Sequence, residues 1–197
     1  MTIVAQDFAP SVFAAQSAFR AIMNATARPG TLQPIAGIDD VPKPLTGEAA
    51  AIALALFDHD TPVWLDEDLA CAPGVAAWVR FQTGAPVVAE SRLAAFALIS
   101  DPARLPDFDM FNRGTAEYPD RSTTLILQMA SFESGETLVL TGPGIRGQQE
   151  FRAAPLPQDM PDRIADNRSL FPRGVDLLFA APGRISAVPR SVRLKRG

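Results

Sequence analysis

A chain of 197 residues that is 47% hydrophobic and 20% charged has the size and composition of one globular unit with a real core. Its formal charge of -4 argues against a nucleic-acid binder or a protein held to acidic membranes, although a basic tail runs from Arg184 to Arg196. One cysteine and one histidine exclude an internal disulfide and a His-rich metal centre.

In chain order, Asp7 or Ser11 can cap a first helix with Phe8, Val12, Ala15, Phe19, Ile22 and Thr26 on its inward side, and Pro29-Gly30 stops it. Gln6, Asp7 and Pro10 interrupt any apolar leader here, so no signal peptide is expected. Arg28 suits the helix C-terminus as a cap. Thr31 to Ile35 reads as a short strand. Thr46 opens a second helix to Phe57 that is apolar on every side and should lie deep. Its apolar run from Ala49 to Phe57 is far below the ~18 residues of a membrane span, and a cytoplasmic protein is expected. Asp58, His59 and Asp60 read as a solvated turn rather than a metal site, because neighbouring loop residues diverge.

Thr61 to Leu65 is a strand, Asp66, Glu67 and Asp68 a solvated acidic turn, and Cys71 a small buried hydrophobe. Pro73 precedes a third helix carrying Val75, Trp78, Val79 and Gln82, closed by Gly84. Leu93 to Ile99 is a strand, and Asp101 to Asp109 a short helix or irregular link. Beyond Gly147 the chain reads as loop up to a helix over Asp159 to Leu170, with Met160 and Ile164 inward. Val175 to Ala180 is apolar enough to be central in the sheet. Ile185 to Val188 and Val192 to Leu194 follow, the latter at an edge because Pro189 interrupts pairing. Helices alternate with strands early and strands cluster late. That order implies a single α/β domain over residues 1–197, with a mixed central β-sheet and helices on both faces in three layers.

The densest chemistry lies from Gly114 to Gly147. Thr123 to Met129 and Thr137 to Thr141 read as neighbouring antiparallel strands, which would bring the loop before the first beside the loop after the second. The first loop carries Glu117, Tyr118, Asp120 and Arg121, and the second Gly142, Gly144 and Arg146. With Arg113 and Arg173 these are the candidate substrate- or anion-binding residues, since guanidinium forks match phosphate and phosphonate oxygens. Salt bridges within the fold are the plainer explanation of the same arginines. No metal ligands are assigned, and no catalytic residue.

Gly142, Gly144 and Gly147 spell G-x-G-x-x-G after a strand, yet Gln148 to Ala154 offers no helix to face a pyrophosphate, so a glycine-rich turn is the simpler account. A pyridoxal Schiff base needs a positioned lysine; Lys43 lies between prolines and Lys195 in the tail. A Ser/His/Asp triad would need His59, and no nucleophile elbow accompanies any serine.

The segments FRAIMNATARPGT (Phe19 to Thr31), TPVWL (Thr61 to Leu65), WVRFQTGAP (Trp78 to Pro86), GTAEYPDRSTTLILQM (Gly114 to Met129), LTGPGI (Leu140 to Ile145) and FPRGVDLLFA (Phe171 to Ala180) together resemble the H subunit of the bacterial carbon-phosphorus lyase complex. The resemblance implies a role in phosphonate use, within a core complex of G, H, I and J subunits. There the G, H and I subunits with the L protein replace the adenine of ATP by phosphonate at the ribose. It also implies a homodimer, and a fold similar to pyridoxal-phosphate-dependent transferases without that cofactor, ATP being a co-substrate of the complex rather than a group bound by this chain. Relatives often carry histidine where this chain has Gln82, so no catalytic histidine transfers to that position. Two rivals stand beside this expectation: a stand-alone nucleotide-dependent transferase, and a scaffold whose loops are only interface.

Overall fold

The computed structural model describes residues 8–197, with side chains from Phe13 onward except that of Arg196. The Asp7 and Ser11 caps and the inward Phe8 and Val12 expected for the first helix therefore lie outside the described side chains. The chain begins with α1 (Phe8–Ala27), β1 (Gln33–Pro34), α2 (Gly47–Leu56), β2 (Val63–Leu65), α3 (Glu67–Cys71) and α4 (Val75–Thr83). It continues through β3 (Val87–Val88), β4 (Phe96–Ile99), β5 (Thr124–Gln128), β6 (Leu138–Thr141) and β7 (Gln149–Phe151). It closes with α5 (Met160–Ser169), β8 (Asp176–Ala181), β9 (Arg184–Val188) and β10 (Arg193–Arg196).

Seven strands form a mixed sheet in the order β1-β9-β8-β5-β4-β2-β3, and three form a small antiparallel sheet in the order β10-β6-β7. Within the large sheet β3, β2, β4, β5 and β8 run parallel, while β9 and β1 are antiparallel to their neighbours. One face carries α1 to α4: Ile22, Ile52, Leu69 and Val79 pack on Val63, Leu98, Ile126 and Leu178. The other face is covered by the small sheet and α5, through Leu138, Leu140, Phe151, Met160 and Ile164 against Leu125, Leu127, Leu177 and Phe179. The expected mixed sheet with helices on both faces is present, with one covering layer built largely from strands.

The two strands expected to pair, β5 and β6, do not. β5 lies between β4 and β8, parallel to both, whereas β6 pairs with β7 and β10. Burial explains why. Leu125, Ile126 and Leu127 are all buried, as a central strand covered on both faces requires, while β6 alternates buried and half-buried residues like a strand with one wet face. β10 is an edge strand as expected, but of the small sheet.

Thr46 caps α2 as read from sequence, its Oγ1 accepting from the Ala49 amide at 3.3 Å. Asp66 is no solvated turn residue. It caps α3 through the Leu69 amide at 3.0 Å and also accepts from Ser100 N at 2.6 Å and Ser100 Oγ at 2.8 Å. Because α3 turns Cys71 outward, that thiol is exposed rather than buried. β7 lies in the stretch expected to be loop, and β3 in one with no expected element; strands of two and three residues have too little sequence to show a period and owe their form to pairing.

Helix α1 turns a different side inward from the one its large residues suggest. Ala18, Ala21, Ile22 and Ala25 are buried, whereas Ala15 and Thr26 are exposed and Phe19 is 48% exposed. The spacing of these four marks one helical face, and its three alanines let the backbone lie close to its neighbours β9 and α2. Among the described residues no helix is long and apolar enough to cross a membrane. The packing predicts that Ala25→Leu lowers stability by about 1–3 kcal/mol through overpacking, while Phe19→Ser stays within roughly 0.5 kcal/mol. Denaturant unfolding of the two variants distinguishes the observed face from the expected one.

Candidate functional site

The candidate residues gather at the edge from which the parallel strands start. One side chain organises that edge. Arg190 follows β9, and its side chain is only 13% exposed. Its backbone N–H donates to Asp176 Oδ1 at 2.8 Å and its Nε to the same oxygen at 3.1 Å. Nη1 donates to Pro119 O at 2.6 Å and Pro172 O at 3.4 Å, and Nη2 reaches Asp176 Oδ2 and Ser122 Oγ. The planar, multiply donating guanidinium thus ties three segments, the 112–123 loop, the 171–174 loop and the start of β8, into one body.

The 112–123 loop is closed at its base by Thr123, whose N–H donates to Asn112 O at 2.8 Å and whose hydroxyl donates to Ala94 O at 2.6 Å. Gly114 has a φ of +69°, and a Cβ there would sit 2.9 Å from Pro119 O, so the crossing of the two strands of the loop admits only glycine. Above this base Glu117, Tyr118, Asp120 and Arg121 are exposed, with the Arg121 guanidinium 4.3 Å from the Tyr118 ring centroid. Gly174 N–H donates to Arg113 O at 2.8 Å, which joins the Arg113 and Arg173 loops. Arg113, Glu117, Tyr118, Asp120, Arg121 and Arg173 are therefore held in two connected loops.

Gly142, Gly144 and Arg146 stand on a third loop, which does not meet the first through strand pairing because β5 and β6 belong to different sheets. The connection is the 189–192 turn: a Cβ at Gly142 would lie 3.2 Å from Ser191 O, next to the anchored Arg190. Gly144 packs on the end of α1 with a φ of +79°, and a Cβ there would fall 2.2 Å from Ala27 O. Close backbone approach is the reason for this glycine, and the loop leads into β7 rather than a helix. Arg113, Arg121, Arg146 and Arg173 make no ion pair with a carboxylate among the described residues; the paired arginines are Arg104, Arg163, Arg184 and Arg190.

Sequence reasoning missed Arg190 and Asp176. The available signals were an arginine directly after the proline that ends an apolar strand, and an acid opening the most apolar strand of the chain.

The opposite edge is where ligands usually enter open parallel sheets, at the carboxyl ends of strands whose connections diverge. Here those strands are β2 and β4, since the chain leaves β2 toward β3 and β4 toward β5. That crevice is filled by the Asp66–Ser100 bonds and by Arg104 between Asp68 and Asp101. The hydrogen bond to Asp101 and the charge of Asp68 raise the Arg104 guanidinium above its ordinary range. Among the described residues no three His, Cys, Asp or Glu side chains form a group that could hold a metal ion. His59 lies in an exposed turn beside Asp60.

A family model described as bacterial phosphonate metabolism protein (PhnH) matches residues 6–195. The chain belongs to the PhnH family. It is 41% identical over 189 residues to the alpha-D-ribose 1-methylphosphonate 5-triphosphate synthase subunit PhnH of Rhizobium meliloti (strain 1021), covering 96% of this chain and 94% of that one. It is 28% identical over 182 residues to HtxG of Stutzerimonas stutzeri, a candidate C-P lyase subunit, covering 91% and 85% of the two chains. The resemblance drawn from the six sequence segments is thereby established for the family. Within this chain those segments take in the end of α1, β2, the end of α4 and its link to β3, β5 with the loop before it, the end of β6 and most of β8, so all of them reach the same edge of the fold.

Removing the anchor predicts a specific loss. Arg190→Ala leaves Asp176 with only the backbone amide of residue 190 and two loop carbonyls without their side-chain donor, and should lower stability by about 3 kcal/mol. Chemical denaturation measures the loss, and limited proteolysis should show first cleavage in the 112–123 loop.

Proposed function

We propose that this PhnH-family chain is a subunit of a C-P lyase pathway synthase that joins an alkylphosphonate to the ribose of ATP and releases adenine. The observation that carries the proposal is the match across nearly the whole chain to a subunit of alpha-D-ribose 1-methylphosphonate 5-triphosphate synthase. In that reaction a phosphonate oxygen forms a bond to ribose C1′ as the C1′–N9 bond breaks, and adenine leaves with the bonding pair and takes up a proton. Both reactants are anionic. The arginine-bearing loops at the shared edge would bind them, Arg121 and Arg146 supplying guanidinium forks and Arg113 and Arg173 flanking them. Tyr118 would hold Arg121 in place, with Glu117 and Asp120 beside it and Gly142 and Gly144 keeping the third loop close.

The chain acts, in this proposal, with the G, I and J subunits and the L protein in the cytoplasm, and as a homodimer. Large apolar side chains left in water support docking to other subunits, above all Phe81 at 86% exposed, with Phe13, Met23 and Leu93. The proposal includes a fold related to pyridoxal-phosphate-dependent transferases that holds no such cofactor. The exposure of both lysines, Lys43 and Lys195, supports that part, because an amine that forms a Schiff base is activated by burial or a cationic neighbour.

The deciding assay supplies ATP and methylphosphonate to this protein alone, to the sister subunits without it, and to the full set. Adenine should be released only by the full set. Turnover by this chain alone would replace the proposal with a stand-alone transferase; full activity without it would leave a scaffold. Within the full set, Arg121→Gln and Arg146→Gln should each weaken use of phosphonate or ATP by about tenfold to a hundredfold, the range of a lost charged hydrogen bond at roughly 1.5–3 kcal/mol. Steady-state kinetics with each substrate varied in turn assigns each arginine to its ligand.

A further inference from the structure

The last turn of α5 and the edge strand β10 face one another across an open cavity of about 440 Å³, lined by Ala165, Arg168, Ser169, Arg193, Leu194 and Lys195. Three of these side chains are cationic and none is acidic. Arg193 and Lys195 alternate with the buried Leu194 and so share one side of β10. Neither they nor Arg168 form an ion pair among the described residues. Arg168 is the most telling of the three. Its guanidinium carbon lies 4.9 Å from the Phe171 ring centroid, which restrains it, and its Nε is buried with no hydrogen-bond partner.

Two simpler explanations each cover part of this arrangement. A cation in the last turn of a helix complements the helix dipole, which accounts for Arg168 and not for two more cations brought from another element. Charges on an edge strand deter pairing with other chains, which accounts for Arg193 and Lys195 and not for a third cation that joins them from α5. An anion in the cavity accounts for all three.

We propose that the α5–β10 cavity binds a multiply charged phosphate anion. Guanidinium forks match phosphoryl oxygens and the lysine adds a compact charge, so three cations suit a di- or triphosphate better than a single carboxylate. The cavity of about 440 Å³ is open to solvent and has room for more than one phosphoryl group. Its residues are separate from the arginines of the proposed substrate site, which it neighbours through Phe171 and the 189–192 turn. Free polyphosphate and the phosphate tail of a nucleotide share this chemistry.

Calorimetric titration of the full chain with tripolyphosphate and with ATP tests the site. The double variant Arg193→Gln/Lys195→Gln alters only exposed side chains and should keep the wild-type circular dichroism spectrum. Saturable tripolyphosphate binding is expected, weakened by salt and reduced at least tenfold in the double variant and in Arg168→Gln, with Arg121→Gln/Arg146→Gln unaffected. ATP binding with the same dependence on Arg193 and Lys195 identifies a nucleotide tail as the occupant; tripolyphosphate binding without ATP binding identifies free polyphosphate. No saturable tripolyphosphate binding, or binding unchanged in the double variant, overturns the proposal. Binding lost only in Arg121→Gln/Arg146→Gln also overturns it and places the anion at the substrate site instead.

Discussion

Arg190 stands where the chain leaves the seven-stranded sheet for the three-stranded one, and the candidate site depends on how it is held there. Its bonds to Asp176, Ser122, Pro119 O and Pro172 O fix the strand that crosses between sheets to the two loops that carry most of the candidate residues. A half-satisfied buried guanidinium would be costly, so the loops are stable only in the arrangement that supplies its acceptors. Thus a residue that faces inward determines what Tyr118, Arg121 and Arg173 can present outward. The third loop is held by other means, through backbone contact of Gly144 with the end of α1 and of Gly142 with the 189–192 turn.

Much of this fold was legible because local chemistry and tertiary demand agree. Thr46 before an apolar run gives a capped α2, and Gly84 closes α4 with its left-handed backbone. The apolar run of β8 places that strand between β5 and β9. Where the sequence misled, tertiary packing outweighed a local sign. The bulk of Phe19 suggested an inward side for α1, yet close approach to β9 and α2 favours the face of Ala18, Ala21 and Ala25. Asp66 resembled a solvated acid because its partner Ser100 is 34 residues away. Likewise β5 and β6 are consecutive strands with a short polar connection, and a hairpin is the ordinary result. The continuous burial of β5 was the feature that argued otherwise.

The site residues were legible as chemistry and not as geometry. Arginines in glycine- and proline-rich loops stood out by type, but the contact expected between the two loops rested on a strand pairing that does not exist. The loops come to the same edge for a different reason, the return of the chain along β9 and through the 189–192 turn. Arg190 itself is set apart in sequence from the basic tail around it only by the proline before it. Its difference lies in burial, and burial depends on the approach of Asp176 and the two loops.

The location of the candidate site at the starting edge of the parallel strands also fits the way this chain uses its other edge. The crevice between β2 and β4, where an open sheet would ordinarily admit a ligand, is occupied by the chain's own Asp66–Ser100 bonds and the Asp68–Arg104–Asp101 ion pairs. What remains open is a set of loops whose arginines form no ion pair with a carboxylate among the described residues. Exposed guanidinium groups bind anions weakly, because water screens the attraction. Covering the same groups with a neighbouring subunit removes that screening and strengthens each charged hydrogen bond without moving a residue. A fold that anchors its loops from within through Arg190, and leaves their cations without a carboxylate partner among the described residues, is suited to gain an anion site on assembly.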